Sequence, residues 1–261
     1  MYEPVEIQIS EKYLEKVFNL IKDNICLLGG WAAYHIVNKN FEKATGRRYI
    51  GSRDIDIGFH IDKNWTEQQL KKSEFCAAIK QIENMGFRSI SFRLIKDFNM
   101  ETGRELTPTE SAKLPQYQIF NLFVDPVVDY IHPKIKPLLG FVPIDEPLLS
   151  LVFTKRLSTT AKLFGTNVLL PKTHVLLAMK LNSVITRDQE HKRIKDIADI
   201  YALLWHSDIK ITQLKHHLFS IYPEEKARKT TRAFTKEEIE RVSTTIGVNT
   251  REITRVLAEL R

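Results

Sequence analysis

Apolar residues recur along the chain in two different periods, and the order of those periods predicts a mixed α/β region followed by helices. Tyr13, Leu14, Val17, Phe18 and Ile21 fall at helical spacing over residues 10–23, behind Ser10 as an N-cap, with Lys12, Glu15 and Lys16 left for solvent. Ile25 to Leu28 form a short apolar run ending at Gly29-Gly30, and Trp31 to Val37 begin a second helix, giving strand, tight turn, helix. Over residues 53–61 the period becomes two, with Arg53, Ile55, Ile57, Phe59 and Ile61 on one face and Asp54 and Asp56 on the other. Residues 66–84 return to helical spacing and 87–95 read as a strand. The polar stretch 97–115, with Gly103, Pro108 and Pro115, reads as a long loop. Strands are predicted at 117–124 and 127–132, joined by a tight turn at Asp125-Pro126. From Pro171 onward strand character disappears. Pro171 suits the first turn of a helix, and helices over 172–186 and 190–205 turn Leu176, Leu177, Leu181 and Val184, then Ile194, Ile197, Tyr201 and Leu204, inward. Further helices are expected at 235–242 and 250–260. The fold class is therefore α+β, a mixed sheet with flanking helices over residues 1–170 and a helical C-terminal region over 171–261.

Composition narrows the picture. With 261 residues, 43% of them hydrophobic, the chain can bury one large domain or one and a half, and no internal repeat is visible. No uncharged apolar run approaches the ~20 residues of a spanning helix, so the reading is a soluble, cytoplasmic protein. Cys26 and Cys76 stand apart from each other and from any Cys/His cluster, which excludes a disulfide framework or a structural zinc site. The 39 Lys and Arg against 32 Asp and Glu leave a net charge of +7, a surplus suited to phosphate-bearing partners.

The candidate chemistry starts at Asp54 and Asp56. Two residues apart on a strand, their carboxylates leave the same face from Cα atoms roughly 6.5 Å apart. They repel unless a cation lies between them, and a hard divalent cation with oxygen ligands answers that need. Gly29-Gly30 open a helix whose backbone N–H groups suit a phosphate. Gly51-Ser52-Arg53 add a hydroxyl and a guanidinium immediately before the acids.

Taken in order, GGWA at 29–32 followed by GSRDIDIGF at 51–59 resembles the nucleotidyltransferase superfamily that shares the DNA-polymerase-β-like fold. Lys180-x6-Arg187, then Arg193-Ile194-Lys195-Asp196-Ile197-Ala198-Asp199, resembles the basic and acidic helices of AbiEii-type nucleotidyltransferase toxins. Lys180 and Arg187 lie about two helical turns apart and share a face. The resemblance implies a polymerase-β-like core over 1–170 and Mg²⁺ or Mn²⁺ on Asp54, Asp56 and a third acid from a neighbouring strand. Asp129 is taken for that third place and for the base; Asp125, before Pro126, is ranked below it as a turn residue. Ser52, Arg53, Lys180 and Arg187, with Gly29 and Gly30, are expected to hold the triphosphate of an NTP co-substrate. Asp196 matches the family's acid after the basic helix, and Asp199 is read as a structural partner of the helix pair.

The acceptor implied is RNA, most simply a tRNA 3′ end, with an antitoxin protein as partner and no membrane. Lys226, Arg228, Lys229, Arg232 and Lys236 add a basic cluster suited to a polyanion. Two alternatives stand beside this reading: a nucleotidyltransferase acting on small hydroxylated antibiotics, and a non-catalytic nucleic-acid or partner-binding module using a helix-turn-helix-like element around Gly247-Val248-Asn249-Thr250.

Overall fold

The computed structural model describes residues 2–21 and 25–261, so residues 22 and 23 of the helix expected over 10–23 lie outside it. In chain order the elements are α1 (Pro4–Leu20), β1 (Cys26–Leu27), α2 (Gly29–Thr45), β2 (Ile55–Phe59), α3 (Glu67–Lys71) and α4 (Glu74–Asn84). Then come β3 (Arg88–Ile90), β4 (Arg93–Asn99), β5 (Glu105–Leu106), α5 (Pro108–Ser111), β6 (Ile119–Val128), α6 (Ile135–Leu139), β7 (Ile144–Asp145) and α7 (Leu149–Phe153). After these follow β8 (Ser158–Leu163), β9 (Thr166–Pro171), α8 (Thr173–Ser183), α9 (Glu190–His206), α10 (Ile211–Phe219), α11 (Glu224–Arg232), α12 (Lys236–Ile246) and α13 (Thr250–Ala258). They form two compact units, one of Tyr2–Leu28 with Ser52–Leu170 and one of Gly29–Gly51 with Pro171–Arg261.

The first unit carries a nine-stranded mixed sheet in the order β3-β4-β6-β2-β1-β9-β8, with β5 added to β4 and β7 to β6. β2 and β6 run parallel, whereas β4 with β6 and β1 with β2 are antiparallel. The alternation read in the sequence sets the faces. Ile55, Ile57 and Phe59 are buried on one side, in register with Val124, Pro126 and Val128. Phe75 of α4 meets Phe59 edge-on, and Tyr13 of α1 meets Phe98 in the same way. On the opposite face a Cβ added at Gly58 would lie 2.9 Å from Leu28 and 3.0 Å from Leu149 of α7, so only glycine fits under that contact.

Several local expectations are corrected. Helix α1 begins at Pro4, with Glu3 and Glu6 forming its capping box, and Ser10 is a buried residue inside it. The helix expected over 66–84 is two, because Ser73 accepts the Cys76 N–H and starts a second helix. The strand expected over 87–95 is a hairpin turning at Ser91-Phe92, with Ser91 at φ 56°. Residues 97–115 hold the end of β4, then β5 and α5, the last opened by a Thr107–Glu110 capping box. The hairpin β8–β9 turns through Phe164-Gly165, both at positive φ, and Pro171 ends β9 while α8 begins at Thr173.

The most consequential correction concerns β6, which runs unbroken through Asp125-Pro126 where a turn was expected. The Asp129 N–H donates to the Phe59 carbonyl and the Val128 carbonyl accepts from Glu146, so alternate residues face β2 and the other side. Pro126 therefore faces away from β2, in the gap between the last partner on β4, at Val124, and the first on β7, at Val127. Its missing N–H costs no ladder bond there.

The second unit is built around α9, buried continuously from Ile194 to Leu204. α2, α8, α10, α12 and α13 pack on it. The Lys226–Arg232 cluster lies on α11, Thr235 caps α12, and Gly247 ends α12 in the left-handed conformation. Burial lowers the His35 and His174 pKa values to about 4, aided by Arg48 at His35 and by His217 and Lys172 at His174. In the unfolded chain both protonate near 6.5. Stability is therefore complete above pH 6.5 and is lost as the pH falls toward 4. Urea titrations at pH 7 and pH 5 are expected to differ by on the order of 1–2 kcal/mol for each histidine, and His174→Phe should remove its share of that difference.

Candidate active site

β4, β6 and β2 lie side by side, and their registers bring three charged residues into one row on the sheet face opposite the apolar layer. Asp56 is the register partner of Asp125, and Arg93 at the start of β4 continues the row beyond Asp125. Asp54 lies two residues before Asp56 and shares its face. The Arg93 guanidinium is 2.5 Å from Asp125 Oδ2 and 3.9 Å from Asp54 Oδ2. It rests against the Phe123 ring at 4.1 Å and the Phe92 ring at 4.8 Å.

Asp125 is 3% exposed, and its Oδ1 has no hydrogen-bond partner among the described residues. Burial first, then the charges of Asp56 and Asp54, push its pKa up to about 7 against the opposing pull of Arg93. Buried carboxylate oxygen facing two further acids is a donor set for a hard cation. Among the described residues, no three His, Cys, Asp or Glu side chains are gathered as a ready cluster for a metal ion. Arg93 holds the third acid of the row. Asp54 and Asp56 are two further carboxylates, and one or two carboxylates completed by substrate phosphates are the usual protein share of a Mg²⁺ site.

Asp129, expected beside Asp54 and Asp56, lies past the end of β6, four residues beyond Asp125 and so ~13 Å farther along the strand direction. Its Oδ1 accepts the Ile61 N–H at 2.8 Å and its Oδ2 pairs with His60 Nδ1 at 2.5 Å. The structure brings Asp125, not Asp129, to the pair. Arg53 is turned to Glu6, 3.0 Å away, and lies over the Tyr2 and Phe120 rings, while Ser52 is buried. Gly29 opens α2 at φ 60°, which lets the chain leave the strand and enter the helix at once.

In the helical unit, the structure brings Lys180 and Asp196 together inside a network of buried charges. Lys180 Nζ lies 2.6 Å from Asp196 and 2.8 Å from Asp199. Lys195 is 2.5 Å from Asp199, which also accepts from the Tyr49 hydroxyl at 2.9 Å. Asp196 accepts from Ser183 at 3.0 Å and from Arg187 Nε at 2.7 Å. Burial opposes every one of these charges. The two aspartates nevertheless hold Lys180 protonated well above its ordinary range, and Lys180 and Arg187 draw the Asp196 pKa down to about 2. Lys195, with fewer partners and Lys180 nearby, is shifted downward by its burial. Arg187, with 37% of its side chain exposed, is the most accessible cation of the set.

A groove of about 550 Å³ runs along α12 and α13, lined by Phe234 and Ile239 and rimmed by Lys236, Arg251, Arg255 and Arg261. Arg255 stacks on Trp205, which is 41% exposed, at 4.4 Å. Among the described residues no helix is long and apolar enough to cross a membrane.

A model of the family described as nucleotidyl transferase AbiEii toxin, type IV toxin–antitoxin system, matches residues 49–255. The chain is a nucleotidyltransferase and belongs to the AbiEii toxin family. None of the curated proteins matches it in sequence. Among solved structures it is similar to an antigenic nucleotidyltransferase-like protein from Paracoccidioides brasiliensis, at 16% identity over 86% of this chain and 91% of that chain, with a TM-score of 0.36.

Proposed function

We propose that the chain moves a nucleoside monophosphate from an NTP to an RNA 3′ end, as the toxin of a pair with an antitoxin partner, and that Asp54, Asp56 and Asp125 are its working acids. The observation that carries this reading is the register of Asp125 with Asp56, which places a buried acid with an unpartnered oxygen beside the Asp54/Asp56 pair. Asp54 and Asp56 hold the divalent cation, Mg²⁺ or Mn²⁺. That ion, when bound, neutralises charge on the triphosphate. Asp125, poised near neutrality, accepts the proton of the attacking hydroxyl. The hydroxyl oxygen bonds to the α-phosphorus, the bond to the bridging oxygen breaks, and pyrophosphate leaves. Asp129 holds the Ile61 loop and His60 in place. Arg187 offers its guanidinium to phosphate, with Lys180 and Asp196 fixing its position.

The surface of α11 to α13 supports RNA as acceptor. Its groove combines Phe234 with the cations Lys236, Arg251 and Arg255, and a polyanion with exposed bases suits such a surface. The test incubates the chain with each α-labelled NTP and total tRNA. Label is expected in tRNA from the wild type, with a strong salt dependence, and an Arg251→Glu/Arg255→Glu double variant should retain less than a tenth of it. Label found only in small hydroxylated compounds would overturn the RNA reading.

A further inference from the structure

The helical unit carries an exposed tryptophan with a cation laid over it. Trp205, in the last turn of α9, is 41% exposed, whereas Trp31 on α2 is buried. The Arg255 guanidinium of α13 lies 4.4 Å from the centre of the Trp205 ring, an arrangement that fixes a long side chain against a flat face. Arg255 also lines the groove along α12 and α13, one helical turn beyond Arg251. Neither of these arginines pairs with a carboxylate among the described residues, whereas Arg193, Lys215 and Arg241 of the same unit each do. Lys236 and Arg261 complete the cationic lining, and Glu240 is the one carboxylate among the groove's lining residues. A surface so charged suits a polyanion of any kind. The indole narrows the choice. An acidic peptide brings carboxylates without regular flat faces, and a duplex keeps its bases stacked on one another. An unpaired nucleotide brings a phosphate and an open π-face together.

We propose that Trp205 and Arg255 form a stacking subsite for an unpaired base of single-stranded RNA, in which the base lies on the exposed indole and the adjoining phosphates meet Arg255 and Arg251. This rests on the reading of RNA as acceptor. It adds the place where a base is held, and that the hold is indifferent to which base it is, because every base has a π-face. The subsite binds and takes no part in the chemistry.

The test is equilibrium binding of a short, unstructured, fluorescein-labelled RNA to the full chain, read by anisotropy over a range of salt concentrations without NTP. Trp205→Ala is expected to weaken binding about tenfold at every salt concentration, the size of one lost base stack, and Trp205→Phe, which keeps a ring, to lose less. Arg255→Gln should instead flatten the salt dependence, lowering the slope of log K against log salt by ~0.7, the share of one phosphate contact on a single strand. A strand of the same length without bases is expected to bind wild type and Trp205→Ala equally, which separates stacking from any loss of charge or fold. Wild type that binds no RNA would overturn the RNA reading itself. RNA bound equally by wild type and Trp205→Ala, or a poly-glutamate peptide bound as tightly as the RNA, would overturn the stacking subsite while leaving RNA binding in place.

Discussion

Asp54→Ala and Asp56→Ala are each expected to lower nucleotidyl transfer by about 10³-fold or more, since losing a single preorganised charge-stabilising group in a catalytic site commonly costs 10²–10³. The contrast within β6 carries more information than the loss itself. Asp125→Asn keeps the shape and the Arg93 contact but removes the proton acceptor, so single-turnover transfer should fall by about 10²-fold or more. Asp129→Asn should leave that rate within about threefold, because its carboxylate serves the Ile61 N–H and His60. It should instead lower stability by about 1–3 kcal/mol, the usual cost of weakening a buried hydrogen-bonded charge. A chain in which Asp129→Asn abolished transfer and Asp125→Asn spared it would restore Asp129 to the place the sequence assigned.

Lys180→Met should be the most destabilising single change in the helical unit. Lys180 is 6% exposed and is the only residue that bridges Asp196 and Asp199 among the described ion pairs. Removing one partner of a buried ion pair leaves an uncompensated charge at a cost of about 3–5 kcal/mol. Against a typical stability of 5–15 kcal/mol for a domain, about that much is a large share. Asp199 keeps Lys195 and Tyr49, and Asp196 keeps Arg187 and Ser183, so the unit should be weakened rather than abolished. Chemical unfolding read by tryptophan fluorescence would show it. Lys180→Met combined with Asp196→Leu should recover part of the loss, because an apolar pair of similar volume removes the orphaned charge. The single variant should also lose transfer activity through the displaced Arg187, whereas Lys180→Arg should lose less of both.

Much of the architecture was legible because long elements declare their period. The α9 segment has apolar residues on every turn, and β2 alternates cleanly, so both were read correctly. The family signature around residues 29–59 and 180–199 was legible in the same way. Short elements were not: β5, β7 and α5 hold two to four residues each, too few for any period to show. The β8–β9 hairpin was missed because Ser158 to Leu163 is largely exposed and mixed in polarity.

The error at Asp125 has a specific cause. Asp-Pro is a strong local turn signal, and locally it was read as one. What overrides it is non-local: the start of β4 and the start of β7 leave a gap that tolerates a residue without an N–H. No inspection of residues 120–130 alone reveals that gap. Arg93 was hidden for the same reason, since an arginine between Phe92 and Leu94 carries no signature until the register places it opposite Asp125. Lys180 and Asp196 were each legible as candidates, but their ion pair, their burial and the second contact of Lys180 with Asp199 were not.

The helical unit draws its α2 from one end of the chain and its remaining helices from the other. Trp31, Ala32, Ala33 and Val37 on α2 are buried, and α2 packs chiefly against α9 within that unit. During synthesis α2 emerges long before α9 exists, and at ribosomal speed the wait is on the order of ten seconds. Over that interval its apolar stripe has no partner from its own unit, and the buried carboxylates of α9 have no Tyr49 contact to complete until both ends are present. The helical unit therefore closes only after α9 has been made, and a chain truncated before α9 leaves α2 without its main packing partner.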